Sequence, residues 1–286
     1  MKICNSIEEM RAALRHAKGS TQRIGFVATM GALHEGHLSL VRAAKAQADV
    51  VVASIFVNPT QFGPNEDFSR YPRTFESDCQ MLNQEGVDLL FAPSVEDMYP
   101  TGAVTYVTVE DLSERLCGKS RPGHFRGVTT VVSKLFNIIG PDLAFFGQKD
   151  AAQAAIIRRM VRDLNFPVEV VVSPIVREPD GLAMSSRNAY LDAGQRKSAL
   201  VLSRALSRVK AAFDKGEQTA AKLIDVGIRV LKSEPGAQLD YLEIVDPETL
   251  EPVEFVRGSA LVAVAAFVGT TRLIDNVVLQ KGLAHG

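Results

Sequence analysis

From residue 23 onward, short β-branched runs alternate with amphipathic stretches: RIGFVAT, LSLVRAAKAQA, DVVVASIFV, TFESDCQMLNQEG and VDLLFA follow in that order. Strand, helix, strand, helix, strand is the rhythm of a parallel sheet covered by crossover helices. The rhythm resumes after Val128, where VTTVVSKLFNIIG reads as a buried helix, DLAFFG as a strand, AAQAAIIRRMVRDLN as a helix and VEVVVSP as a strand. The expected architecture is α/β, a Rossmann-like doubly wound parallel sheet over residues 1–176. Beyond REPDGLAMSSRN the pattern changes. Charged amphipathic helices at 196–213 and 219–233 precede strand-like LDYLEIVD, ALVAVAAFV and TRLIDNVVL, so residues 177–286 read as a smaller C-terminal α+β domain. No repeat at solenoid spacing and no low-complexity run competes with this reading.

Composition narrows the class. Lysine and arginine number 32 against 33 acidic residues, so a net charge near −1 gives no general attraction to nucleic acid or anionic lipid. Cys4, Cys79 and Cys117 are odd in number and lack CxxC spacing, which argues against a disulfide framework or a structural zinc and for a reducing compartment. The first residues carry too many charges for a secretory signal, and the longest apolar candidate, SALVAVAAFVG at 259–269, is too short to span a bilayer. A soluble, cytoplasmic protein without nucleic-acid or membrane partners is expected.

Chemistry concentrates at the predicted strand ends. In TMGALHEGH, residues 29–37, Gly31 and Gly36 permit close backbone approach and a helix begins near Glu35. Such a strand-to-helix junction offers N–H groups and a positive helix end to an anion. His34 and His37, three apart, share a helical face toward that anion. An HxxH pair alone reads as two surface histidines flanking a turn, and zinc lacks an obvious third ligand. Placement after the first strand, between two glycines, favours the anion site. No GxGxxG follows any strand, and Gly118-Lys119-Ser120 has Ser113 where a P-loop requires its first glycine.

In FFGQKD, residues 145–150, a strand ends at Gly147 and delivers Lys149 and Asp150 to the carboxyl edge of the sheet. Lys149 suits phosphate, while Asp150 can accept from ribose hydroxyls or cap the next helix. MSSRN, residues 184–188, joins two hydroxyls to a guanidinium, a set fit for phosphate oxygens although common in loops. SIFVNPTQFG brings the amides Asn58 and Gln61 to a strand end, where they suit a small polar substrate. SRPGHFRG carries Arg121, His124 and Arg126, either at a binding loop or in an ordinary basic turn.

In this order the clusters resemble the pantoate–β-alanine ligase family, within the HIGH-motif nucleotidyltransferase and class I synthetase group, over essentially the whole chain. TMGALHEGH resembles the family's HIGH-type element, IFVNPTQFG its pantoate loop, RPGHFRGV its central loop, FFGQKD its lysine element and DGLAMSSRN its KMSKS-like loop, and GTTRLIDN also matches. The resemblance implies ATP-dependent condensation of pantoate with β-alanine through a pantoyl-adenylate. It implies ATP as a substrate with Mg²⁺, no tightly bound organic cofactor, and a homodimer. Met30, Gly31, Ala32, Leu33, His34, Glu35, Gly36 and His37 would line ATP with Gly147, Gln148, Lys149 and Asp150. Val176, Met184, Ser185, Ser186 and Arg187 would complete that site, the hydroxyls and Arg187 joining His34, His37 and Lys149 in catalysis. Gln61 and Gln153 would hold pantoate, Gln61 would also lie near β-alanine, Asn58 and Arg121 would join the substrate wall, and His37 is the family's proton donor.

Gln148, Thr60 and Ala151-Ala152 depart from the family's usual Glu, Met and aromatic-Gln. The phosphate-facing groups stay intact, and the changes fall on the pantoate wall. A nucleotidyltransferase making a dinucleotide-like product and a non-catalytic nucleotide sensor are the rival readings. A tRNA synthetase is disfavoured because the chain has neither room for an anticodon-binding domain nor a basic excess.

Overall fold

The computed structural model describes residues 1–17, 22–64 and 66–280. Its first half runs β1 (Lys2–Cys4), α1 (Ile7–Ala17), β2 (Ile24–Thr29), α2 (Glu35–Lys45), β3 (Val50–Ile55), α3 (Phe75–Gln84), β4 (Leu89–Phe91), α4 (Val95–Met98), α5 (Cys117–Ser120), α6 (His124–Ile139) and β5 (Leu143–Gly147). There follow α7 (Ala151–Asp163), β6 (Glu169–Ser173), α8 (Ala193–Ala199), α9 (Val201–Asp214), α10 (Ala220–Lys232), β7 (Ala237–Val245), β8 (Ser259–Val268) and β9 (Thr271–Gln280). The chain divides into two compact units.

The first unit comprises Met1–Ser113, Arg121–Gln148 and Ile156–Pro174. Its six-stranded sheet has the order β1-β4-β3-β2-β5-β6, and every pairing is parallel. The central strands are apolar without alternation because helices cover both faces, so IGFVAT, VVVASI and LAFFG are buried along almost their whole length. Val27 lies opposite both Ala53 of β3 and Phe145 of β5. The strand order reverses between β2 and β5, and such a switch point opens a crevice at the carboxyl ends of the two strands. Val27, Leu40, Val41, Val51, Leu82, Leu90 and Phe145 pack as one core, tying α2 and α3 to that face.

The structure adds what the pattern omits. β1 is three residues long and pairs with β4, and only Cys4 of the three is buried, so no alternation marks it in the sequence.

The second unit comprises Glu114–Ser120, Lys149–Ala155 and Ile175–Gly286. It contains an antiparallel three-stranded sheet, β7-β8-β9, under α9 and α10. Leu202, Leu206 and Val209 of α9 share a core with Val262, Val264, Leu273 and Leu279 of the sheet. Where one helix was expected at 196–213, two occur. Asp192 starts α8 by accepting from the Gly194 and Gln195 N–H groups while the Gln195 side chain returns to it, and the path is reset at Leu200. No helix among the described residues is long and apolar enough to cross a membrane, and Cys4, Cys79 and Cys117 are free thiols.

Candidate active site

The histidine loop is built outward from the end of β2. Thr29 Oγ1 donates to the Ser54 carbonyl at 2.7 Å and accepts the Gly31 N–H at 3.2 Å. Gly31 and Ala32 then take left-handed conformations, φ 80° and 50°, which turn the chain into α2. The buried carboxylate of Asp78, from α3, accepts the Ala32 and Leu33 N–H groups, each at 2.9 Å.

His34 is the N-cap of α2. Its Nδ1 accepts the Gly36 N–H at 3.1 Å, and His37 Nδ1 accepts the His34 N–H at 3.3 Å, so the two imidazoles form a reciprocal capping box with ring centroids 4.1 Å apart. An Nδ1 that accepts carries no proton, so this hydrogen-bond network assigns the proton of each neutral ring to Nε2. Both rings thereby become Nε2–H donors. The sequence predicts open backbone N–H groups here. The structure instead engages those of Gly31, Ala32, Leu33, His34 and Gly36 within the protein. Glu35 is exposed and pairs with Arg42, seven residues on along the same face of α2.

The loop after β3 is organised by Asn58, which is 1% exposed. Its amide donates to Gln61 Oε1 at 3.0 Å and the Gly127 carbonyl at 3.1 Å, and its Oδ1 accepts from the Thr60 hydroxyl and Tyr99 Oη, both at 2.9 Å. Asn58 is therefore an internal brace, with Gln61 as the amide it orients. Gln61 Nε2 donates to Met30 Sδ at 3.0 Å, joining this loop to the histidine loop. Gly127, in α6, has no room for a side chain, because a Cβ there would come within 2.3 Å of the Thr60 carbonyl oxygen.

Arg121 and His124 fix the other side of Gln61. Arg121 donates to both oxygens of Glu66, Nε at 2.7 Å and Nη2 at 2.6 Å, and its Nη1 lies 2.9 Å from His124 Nε2. Arginine only donates, so His124 Nε2 accepts and its Nδ1–H donates to the Gln61 carbonyl at 2.8 Å. Burial works against the Glu66 carboxylate, but the hydrogen bonds and charge of Arg121 outweigh it and hold Glu66 below the usual range. Burial pushes the Tyr99 phenol up. Glu66 and Tyr99 carry no motif; only the tertiary contacts mark them. Arg126 stacks over the Tyr106 ring at 3.8 Å.

In the second unit, Lys149 and Asp150 lie in the tight turn Gln148–Asp150 that follows Gly147, with Lys149 Nζ 3.5 Å from Asp150 Oδ1. The Lys149 carbonyl accepts from Asn276 Nδ2 at 3.0 Å. Asp275, the neighbour of Asn276, takes a bidentate pair from Arg177 at 2.7 and 2.9 Å, and Arg177 also donates to the Gly181 carbonyl at 3.1 Å. The Met184 N–H bonds to the Val176 carbonyl at 3.0 Å, closing a hairpin that leads into the turn Ser186–Tyr190. Ser185 caps that turn by accepting the Arg187 N–H at 3.3 Å, and Asn188 ties it to Glu178 at 2.7 Å. Asp275 and Asn276 thus give GTTRLIDN a physical role: one carboxylate and one amide secure both the basic hairpin and the lysine turn. Gln153 is half-buried beside Ala152, which is 7% exposed.

Comparison with known proteins agrees along the whole chain. A family model described as pantoate-beta-alanine ligase matches residues 2–278. A pantothenate synthetase of Acidobacterium capsulatum is 63% identical, covering 98% of each chain, and one of Koribacter versatilis is 62% identical, covering 100% of this chain and 99% of that one. Among solved structures, a pantothenate synthetase from Thermus thermophilus superposes with a TM-score of 0.93 at 50% identity, covering 97% of this chain and 99% of that one. A pantoate-beta-alanine ligase from Francisella tularensis, complexed with beta-gamma ATP and β-alanine, has a TM-score of 0.78 at 35% identity, covering 97% of each.

Proposed function

The chain belongs to the pantoate–β-alanine ligase family, and on that premise we propose which of its residues carry the reaction. The enzyme is an AMP-forming acid–amino-acid ligase: it condenses (R)-pantoate with β-alanine, using ATP, to give (R)-pantothenate, AMP and pyrophosphate through a pantoyl-adenylate. A carboxylate and an amine in water form only a salt, and adenylation supplies the missing leaving group.

In the first step the pantoate carboxylate attacks the α-phosphorus and pyrophosphate leaves. The nucleophile is already ionised, so the step needs in-line positioning and neutralisation of charge on the phosphates rather than a base. The observation that carries the assignment is the reciprocal histidine cap, which commits both Nδ1 atoms to the backbone and leaves each ring an Nε2–H donor. In this reading His34 and His37 donate to the phosphates, and His37 acts as proton donor. Lys149 supplies a point charge, and Ser185, Ser186 and Arg187 supply hydroxyls and a guanidinium. Met30, Gly31, Ala32, Leu33, Glu35 and Gly36 form the nucleotide wall with Gly147, Gln148, Val176 and Met184, and Asp150 accepts from the ribose.

Gln61 and Gln153 hold pantoate. Asn58 and Arg121 serve Gln61, the first through its side-chain amide and the second through His124. The resemblance implies Mg²⁺ with ATP, where it would neutralise phosphate charge. In the second step the β-alanine amine attacks the pantoyl carbonyl and expels AMP. No enzyme nucleophile is required.

Residues 1–176 are read as the ATP- and pantoate-binding domain and residues 177–286 as a lid carrying the KMSKS-like loop. The resemblance also supports a homodimer, and an odd number of cysteines without CxxC spacing supports a reducing compartment. ATP–pyrophosphate exchange with and without pantoate, followed by AMP release on adding β-alanine, tests the reading. Exchange that ignores pantoate, or AMP release that ignores β-alanine, would sink it.

A further inference from the structure

Asp78 lies outside every motif of the ligase site, yet it is wholly buried, with 0% exposure. Its bonds are three. Oδ2 accepts the Ala32 N–H at 2.9 Å, and Oδ1 accepts the Leu33 N–H at 2.9 Å and the Thr74 hydroxyl at 3.0 Å. No lysine, arginine or histidine is among these described partners. A buried carboxylate persists only where donors replace its hydration. Here two of the three donors belong to the loop that presents His34 and His37.

Bonds within the loop hold Gly31, His34 and Gly36, but Ala32 and Leu33 take their support from outside it. Gly31 at φ 80° and Ala32 at φ 50° are consecutive left-handed residues, and a non-glycine residue keeps that conformation only where its surroundings over-determine it. Asp78 supplies the determinant for Ala32 and Leu33, and the next residue, His34, begins the capping box. The fit leaves no slack: a Cβ on Gly31 would lie 3.0 Å from Asp78 Oδ2 and 3.2 Å from Ile55 Cγ2. With both oxygens aimed at loop N–H groups and a threonine hydroxyl, this carboxylate anchors backbone rather than receiving substrate.

We propose that Asp78 is a positioning residue for the adenylation step, holding the histidine loop in the geometry that aims the His34 and His37 Nε2–H donors. The proposal rests on the reading of those histidines as phosphate donors. Asparagine is the diagnostic replacement, since it keeps the size of the side chain but offers one oxygen and turns an NH₂ toward a backbone N–H.

For Asp78→Asn, pantoate-dependent ATP–pyrophosphate exchange should lose about 10²-fold in kcat, the scale of a misplacement of about 1 Å at a reacting centre. KM for β-alanine should stay unchanged. Amide hydrogen exchange should speed up at Ala32 and Leu33 but not at Val27 or Val51 in the neighbouring strands. Asp88→Asn is the control for stability alone. It removes a carboxylate that accepts the Val51 N–H at 2.8 Å, and it should lower the melting temperature while leaving kcat intact.

A kcat for Asp78→Asn within about twofold of wild type, or an equal kcat loss in Asp88→Asn, overturns the proposal. If Asp78→Asn does not fold, Gly31→Ala presses on the same carboxylate from the loop side, and wild-type kcat there overturns it equally. Failure of the ligase reading looks different: wild type itself would show no pantoate-dependent exchange, while the amide-exchange result would still report on the anchor.

Discussion

At the scale of single residues, His37 and Lys149 are expected to act on charge that develops in the transition state. His37→Ala or Lys149→Ala should lower the single-turnover rate of pantoyl-adenylate formation by about 10²–10³, the range for losing one preorganised donor. Near-normal adenylate formation in either variant would remove that residue from its role. Glu66 makes a prediction in pH. Its folded pKa lies below the unfolded value of about 4.3, so its contribution to stability is complete above that pH and is lost as pH falls through the lowered folded value. The melting temperature of wild type should therefore exceed that of Glu66→Gln near neutrality, and the gap should narrow below about pH 4. A gap that is flat with pH would mean that folding does not lower the pKa of Glu66.

At the scale of elements, the approach of α6 to the turn Pro59–Gln61 is set by a missing side chain. Gly127→Ala should cost roughly 1–3 kcal/mol in denaturant unfolding, the usual size of an overpacking strain. By shifting Gln61 it should also raise KM for pantoate more than it lowers kcat. Unchanged KM would show that the turn yields without moving the glutamine. The same scale shows what could be read beforehand. The β2-to-α2 junction was legible because apolar run, glycine, histidine and helix follow within fifteen residues, and local chemistry decides its form. Asp78 was not. In TFESDCQMLNQEG it reads as one more polar position on an amphipathic helix, and nothing local distinguishes it from the exposed Glu76; only packing of α3 beneath a loop 45 residues away does. Glu66 and Tyr99 were missed for the same reason. Arg121 was visible as a basic residue, but its engagement with Glu66 depends on a contact across 55 residues.

At the scale of the whole molecule, the hairpin that ends at Met184 and the turn Ser186–Tyr190 form one braced unit whose brace is Arg177 on Asp275. If residues 177–286 act as a lid, ATP and pantoate together should protect the loop at 185–187 from limited proteolysis, and β-alanine alone should not. Equal cleavage in all three conditions would argue against closure. Exposed Val104, 83% accessible, and Tyr106 offer a handle on the proposed homodimer: Val104→Asp should lower the sedimenting mass if they contribute to the subunit contact, and an unchanged mass would place that contact elsewhere.

The hydrogen bond from Asn276 to the carbonyl of Lys149 spans 127 residues of chain. On a ribosome adding about 5–20 residues per second, the lysine turn is made roughly 6–25 s before its support exists. The sheet that carries the histidine loop can form in that interval. The lysine turn cannot reach its supported form then, so the proposed set of phosphate-facing groups is assembled only once β9 has emerged.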